Sequence, residues 1–300
     1  MIDLLTEMLS YGLLRRALVV AALVGLSAPV MGTYLVARRL TLLGDGIGHM
    51  ALTGVAAGWL MGAWAGTADQ DAWAMPGAII AAAAGALIIE YLRERGRASG
   101  DVALALLFYG GIAGGVLLIG IAGGTTANLN GYLFGSISTV STADMWLSLI
   151  LALVVFAIGI GMMPALFALC HDEEHARASG LPVRLLSVLI SVTAALTVAI
   201  AMRVVGALLV SALMIVPVAT AQQVTRSFAA TMRLAMIIGL IVSEIGLVIT
   251  YIKPWSPGAT VVMLAVGLYA LVTVIRPLLV TSRERSASVE RESVVEGHAG

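Results

Sequence analysis

One lysine, one cysteine and few charges of either sign characterise this chain of 300 residues. The lone Cys170 excludes an internal disulfide and any cluster of thiolates. The lone Lys253 is followed by Pro254, so there is no Gly-Lys-Ser/Thr loop to cradle nucleotide phosphates. Any ATP-driven work therefore falls to another polypeptide. Charged residues make up 11% of the chain, where soluble domains carry roughly 25%. The net charge of zero leaves no case for nucleic acid as a partner. No positive n-region opens the chain and no small-residue cleavage site follows Leu14, so the N-terminus reads as retained, not as a cleaved signal.

What the sequence has in place of charge is apolar length, with 60% of its residues hydrophobic. Runs of about 17 to 25 apolar residues are candidate membrane spans. They fall at Leu14–Val36, Gly44–Ala65, Ala74–Tyr91, Val102–Ile121, Met145–Leu169, Leu185–Ala201, Val204–Val218, Leu234–Tyr251 and Ala259–Ile275. The seventh is short enough for a half-helix or re-entrant segment, so the expectation is an all-α, polytopic membrane bundle of about eight to ten transmembrane helices. Residues 1–13 read as an N-terminal interfacial segment, 14–280 as one transmembrane domain, and 281–300 as a disordered cytoplasmic tail of Arg, Glu and Ser.

Arginines set the orientation. They gather at Arg38 and Arg39, at Arg93, Arg95 and Arg97, at Arg177 and Arg184, at Arg226 and Arg233, and after Arg276. The positive-inside rule places these segments in the cytoplasm. Trp59, Trp64, Trp73, Trp146 and Trp255 then all fall near the outer face, as an aromatic belt would. Nine spans with an outside N-terminus result, with Arg203 at an outer bend. Arg15 and Arg16 run against this scheme unless Ile2–Leu14 lies flat and they snorkel.

The second span carries the candidate chemistry. Asp45 and His49 are four residues apart, about one helical turn, so both side chains leave one face. His49 lies ten residues beyond Arg39, roughly 15 Å deeper, near the middle of a hydrocarbon core of about 30 Å. Ionisable groups at that depth are costly and mark functional sites. One oxygen and one nitrogen donor suit a divalent transition metal. The structural alternative is a buried Asp–His hydrogen bond that stitches helices together. Gly46, Gly54, Gly58 and Gly62 line the adjacent face at spacings that admit another helix. Asp45, His49 and Thr53 are expected to face an interior cavity.

Two further regions carry polar groups. Between the fifth and sixth spans, His171 to Pro182 opens with three acids and closes on Gly180 and Pro182, the pattern of a short cytoplasmic helix suited to docking. His171 and His175 fail the HExxH pattern because position 172 is Asp. Glu244, inside the eighth span, reads as structural, paired with Arg203 or a backbone donor. The polar Gly123–Ser141 segment, with Asn128, Asn130, Tyr132 and Gly135, is either a re-entrant lining or an external loop.

The stretch Arg38 to Gly54 resembles the second-helix signature of the zinc and manganese permeases of ATP-binding-cassette importers. Tyr132-Leu-Phe-Gly135-Ser-Ile, Ala176-Arg-Ala-Ser-Gly180-Leu-Pro-Val, Val205 to Pro217 with Ala219-Thr-Ala, and Ser256-Pro-Gly258-Ala-Thr agree with it. The similarity runs from about Leu14 to Arg276. Gly46 and Gly48 stand where the family often has Ala and Ser. The resemblance implies a type II ABC importer permease fold in a bacterial cytoplasmic membrane. It implies a homodimer, two ABC ATPase subunits on the cytoplasmic side and an extracytoplasmic metal-binding protein. It implies that Asp45 and His49 hold the metal in transit and that Glu174, Ala176, Arg177, Ser179 and Gly180 form the ATPase coupling loop. No cofactor is expected to be permanently bound, zinc is the first expectation for the cargo and manganese the next, and hydrolysis belongs to the partner chain.

Three rivals are weighed against this reading. A permease for a metal chelate, such as a siderophore or cobalamin, would need a wide pathway without metal-ligating side chains. A proton-coupled secondary transporter would work through Asp45 and Glu244. An intramembrane metallohydrolase would need more ligands and a general base than the sequence offers. Because an imidazole must be neutral to bind a cation, metal affinity is expected to fall as pH drops through the histidine range. Titration of the purified protein with metal between about pH 8 and pH 5 checks this; a flat affinity would contradict it.

Overall fold

The computed structural model describes residues 11–66, 70–94, 100–123, 131–136 and 140–296. Expectations that fall on residues 1–10, on Asp69, Arg95, Arg97, Asn128, Asn130 and Ile137, and on the Arg203 side chain lie outside the described ones. Every described element is helical. In chain order these are α1 (Gly12–Ala37), α2 (Leu43–Trp64), a 3-10 turn (Gln70–Trp73), α3 (Ala74–Glu94), α4 (Gly100–Ile121), α5 (Thr142–Gly159), α6 (Met163–His171), α7 (Glu173–Ala178), α8 (Val183–Val205), α9 (Ala207–Val224), α10 (Phe228–Ile252) and α11 (Pro257–Glu296). A further helical turn covers 131–134.

Among the described residues, seven helices are long and apolar enough to cross a membrane: α1, α3, α4, α5, α8, α10 and α11. Of the two remaining expected spans, α2 falls short of that measure because of its polar and glycine content, and α9 is a shorter apolar helix. α2 packs against α3, α4, α8 and α9, and α9 against α1, α2, α10 and α11. A helix enclosed by other helices has no need of a lipid-compatible surface, so α2 can afford Asp45, His49 and repeated glycine.

The enclosure rests on backbone contact. A methyl group added at Gly54 would collide with the Gly77 carbonyl of α3, and one at Gly58 with the Trp73 carbonyl. Gly25 of α1 and Gly239 of α10 meet in the same way. Such close approach lets van der Waals contact hold helices together where lipid removes the hydrophobic drive.

Two features differ from the sequence expectation. The fifth span, expected as one helix over Met145–Leu169, is divided into α5 and α6 by residues 160–162. Gly159, Gly161 and Pro164 weaken the helix there, and the Tyr34 hydroxyl donates to the freed Gly159 carbonyl. The tail, expected to be disordered, continues α11 through Glu296. No glycine or proline stands between Pro277 and Gly297 to stop it.

The short seventh span begins inside the protein. Gly206, at φ 95, separates α8 from α9, and the Ala207 carbonyl lies 2.9 Å from where a Cβ on Gly48 would sit. Thus α9 starts one residue from the level of His49. The 131–134 turn fills the space around this break. The Tyr132 and Trp59 rings meet edge to face at 5.4 Å, the Gly135 amide borders Gly206, and Ser256 donates to the Phe134 carbonyl at 3.0 Å. Of the two readings left open for this segment, its described part is packed inward and lines the bundle.

α1 ends in a Schellman motif: Leu40 N–H donates to the Leu35 carbonyl at 2.8 Å and Arg39 N–H to Val36 at 3.1 Å. Arg39 takes φ 59, a position usually given to glycine.

Replacing Gly54 with Val is expected to lower stability by about 1–3 kcal/mol. Gly267→Ala, where a Cβ meets nothing within 4 Å, is expected to be neutral. Thermal unfolding of the detergent-purified protein, followed by size-exclusion recovery, checks this; equal shifts for the two variants would contradict the packing.

Candidate metal site

Asp45 sits in the first turn of α2, whose N-cap, Leu42, offers no side-chain oxygen. The carboxylate therefore stands near the positive end of the helix dipole. From α9, the Ser211 hydroxyl donates to Asp45 Oδ1 at 3.2 Å. This contact spans most of the chain and fixes the carboxylate from a second helix.

His49, one turn deeper, is 4% exposed. Its ring meets Phe108 of α4 edge to face, with centroids 4.5 Å apart. Gly111, one turn after Phe108, is what lets α4 come so near: a Cβ there would stand 2.8 Å from the His49 Cβ. Nδ1 of His49 is buried and has no hydrogen-bond partner among the described residues. A buried imidazole nitrogen with nothing to bind is destabilising until something occupies it.

Thr53 departs from the expectation of a shared cavity. Its hydroxyl donates to the Gly111 carbonyl at 2.6 Å and is spent there. Each four-residue step along a helix rotates by about 40°, so the row Asp45, His49, Thr53 fans from α9 round to α4. Asp45 and His49 remain the two candidate donors, and Thr53 is a packing residue.

The glycines divide similarly. Gly54 and Gly58 face α3 and the 3-10 turn, Gly46 faces Leu107 of α4, and Gly62 is buried. Among the described residues no group of three or more His, Cys, Asp and Glu side chains comes together. One chain thus offers two strong donors.

The short helix α7 is built as its sequence suggests. The Asp172 carboxylate caps it by accepting from the His175 amide at 2.9 Å. Gly180, at φ 79, and Leu181 close it with Schellman bonds to Arg177 and Ala176. Ala176 is fully buried, while Glu174, Arg177, Ser179 and Gly180 are exposed. Asp172 ends α6 as well as starting α7, so His171 and His175 belong to different helices. His171 instead stacks on Phe167 at 5.7 Å. Glu244 has a buried Oε1 without a hydrogen-bond partner among the described residues.

Sequence reasoning passed over Ser211 and Phe108 as site residues. Ser211 lay inside the Val205–Pro217 motif, but only as one polar position in an apolar run. Phe108 reads as an ordinary span residue, and nothing local sets it apart.

Comparison with known proteins supplies the family. The model described as the ABC 3 transport family matches residues 10–276. The manganese transport system membrane protein MntC of Halalkalibacterium halodurans is 33% identical over 265 residues, covering 88% of each chain. A membrane protein of Haemophilus influenzae named for iron transport is 29% identical over 274 residues, covering 90% of this chain and 96% of its own. The solved structure of PsaBC from Streptococcus pneumoniae in complex with Fab superposes with a TM-score of 0.75 at 28% identity, over 91% of this chain and 95% of that one.

If Ser211 orients the Asp45 carboxylate for a cation, Ser211→Ala lowers metal affinity by about tenfold and leaves the fold intact. Calorimetric titration with manganese checks this; an unchanged affinity would remove Ser211 from the site.

Proposed function

This chain belongs to the ABC 3 transport family, and from that premise we propose that it carries an uncomplexed divalent metal ion across the plasma membrane through Asp45 and His49. It is a multi-pass membrane permease. The buried, unpartnered Nδ1 of His49 one turn from Asp45 carries the proposal. In a chelate pathway the ligand shell of the metal is already filled, and such a nitrogen would have no use.

The cargo is manganese ahead of zinc, the reverse of the order expected from the sequence. Support comes from the relative named for manganese transport and from the donor set. Ser211 brings an oxygen beside Asp45, no thiolate is near, and oxygen-rich sites suit manganese.

The family and the geometry support the following transport cycle. A second copy of the chain supplies two more donors, because two per chain leave a metal short of its usual coordination. An extracytoplasmic binding protein delivers the ion. Two ABC ATPases dock on the cytoplasmic side at α7, where Glu174, Arg177, Ser179 and Gly180 are exposed around the buried Ala176. This chain contributes no hydrolysis, since no phosphate-binding lysine loop exists in it. The ion pauses at Asp45 and His49 while nucleotide-driven movement closes one side and opens the other.

Uptake of radiolabelled manganese and zinc by cells lacking this gene tests the proposal. Wild type is expected to restore manganese uptake, with zinc lower. Asp45→Asn/His49→Ala, matched for membrane abundance, is expected to abolish it. Equal uptake by both variants would overturn the site, and restoration of neither ion would overturn the cargo.

A further inference from the structure

The cytoplasmic ends of α1, α3 and α8 enclose a polar cluster that the metal site does not use. Glu90 of α3 is 5% exposed. Ser187 and Ser191, one turn apart on α8, each donate to one of its carboxylate oxygens, Ser191 at 3.2 Å. Arg93 stands 3.6 Å from the same carboxylate. Arg38, with a side chain only 5% exposed, donates from Nη1 to Ser187 Oγ at 2.6 Å. Its Nη2 lies 3.7 Å from Glu173, the first residue of α7, which also pairs with Arg177 at 3.2 Å.

An arginine that only marks the cytoplasmic side would snorkel its head to water. Arg38 does the opposite. Its guanidinium is buried between a fixed anchor, the Ser187–Glu90 pair, and an exposed helix end at Glu173. Burial and then Arg93 lower its pKa from the usual arginine value, while Glu90 and Glu173 act against them.

The position of Arg38 in the chain gives the contact its consequence. It is the C-cap of α1, Arg39 follows in the left-handed region, and α2 begins at Leu43 with Asp45 in its first turn. The Arg38 guanidinium therefore touches α7 while its backbone is the hinge of the metal-bearing helix. A cleft of about 900 Å³ lined by Glu90, Arg93, Glu173, Arg177 and Ser187 lies beside it.

We propose that Arg38 is a positioning residue that links α7 to α2. Displacement of α7 by the ATPase draws on Glu173, Arg38 follows, and the α1–α2 hinge shifts Asp45 and with it the hold on the ion. This rests on the reading of α7 as the ATPase contact.

The test uses the complete transporter in proteoliposomes with manganese-loaded binding protein inside and out-facing ATPase supplied with ATP. Manganese moved and ATP hydrolysed are measured together. Arg38→Gln and Glu173→Gln are each expected to cut manganese moved per ATP about tenfold while hydrolysis continues. The double variant is expected to do no worse than Arg38→Gln, and Arg38→Lys to recover part of the loss. Uptake and hydrolysis falling together in Glu173→Gln, whose side chain is 48% exposed and disrupts little, would reduce the cluster to a structural role. Uptake and hydrolysis both at wild-type level in Glu173→Gln overturn the link alone, even if Arg38→Gln fails to assemble. Absence of ATP-driven uptake in the wild type would instead overturn the function itself.

Discussion

A carboxylate and an imidazole in the middle of a membrane cannot face lipid, and the architecture follows from keeping α2 away from it. Glycine makes the enclosure possible. Gly54 and Gly58 bring α2 onto the backbone of α3 and the 3-10 turn, and Gly111 brings α4 onto His49. On the remaining side, α9 starts at the level of Gly48 and sends Ser211 to Asp45. Each close approach does two things at once. It replaces lipid with protein around a polar helix, and it removes the freedom of the side chains that the ion meets.

Among the described residues seven helices are long and apolar enough to be spans, and two of them, α1 and α8, are themselves mostly buried. α2 and α9 are shielded by the others and are free to be polar, short or broken. A permease needs such an inner layer, since a fully apolar bundle offers an ion no stopping point. The break at Gly206 belongs to that layer, with the 131–134 turn filling it.

Much of this was legible in the sequence because it is local. The Asp45–His49 spacing, the packing glycines of α2, the Gly180 cap of α7 and the short seventh span are all written within one or two helical turns. What was not legible depends on long-range contact. Ser211 reaches Asp45, and Phe108 reaches His49, only after the helices pack. Arg38 read as a charge that fixes orientation, yet folding buries it between Ser187 and Glu173. Thr53 shares the four-residue spacing of the ligands, but Gly111 claims its hydroxyl. The tail's mixed-charge composition says little about helix, where neither glycine nor proline interrupts it.

The central claim is that the ion rests on His49. Electron–nuclear double resonance of manganese bound to the purified transporter, grown with nitrogen-labelled histidine, tests it most directly. A labelled-nitrogen coupling that disappears in His49→Gln is the predicted result. An all-oxygen manganese shell, unchanged by that substitution, would contradict it.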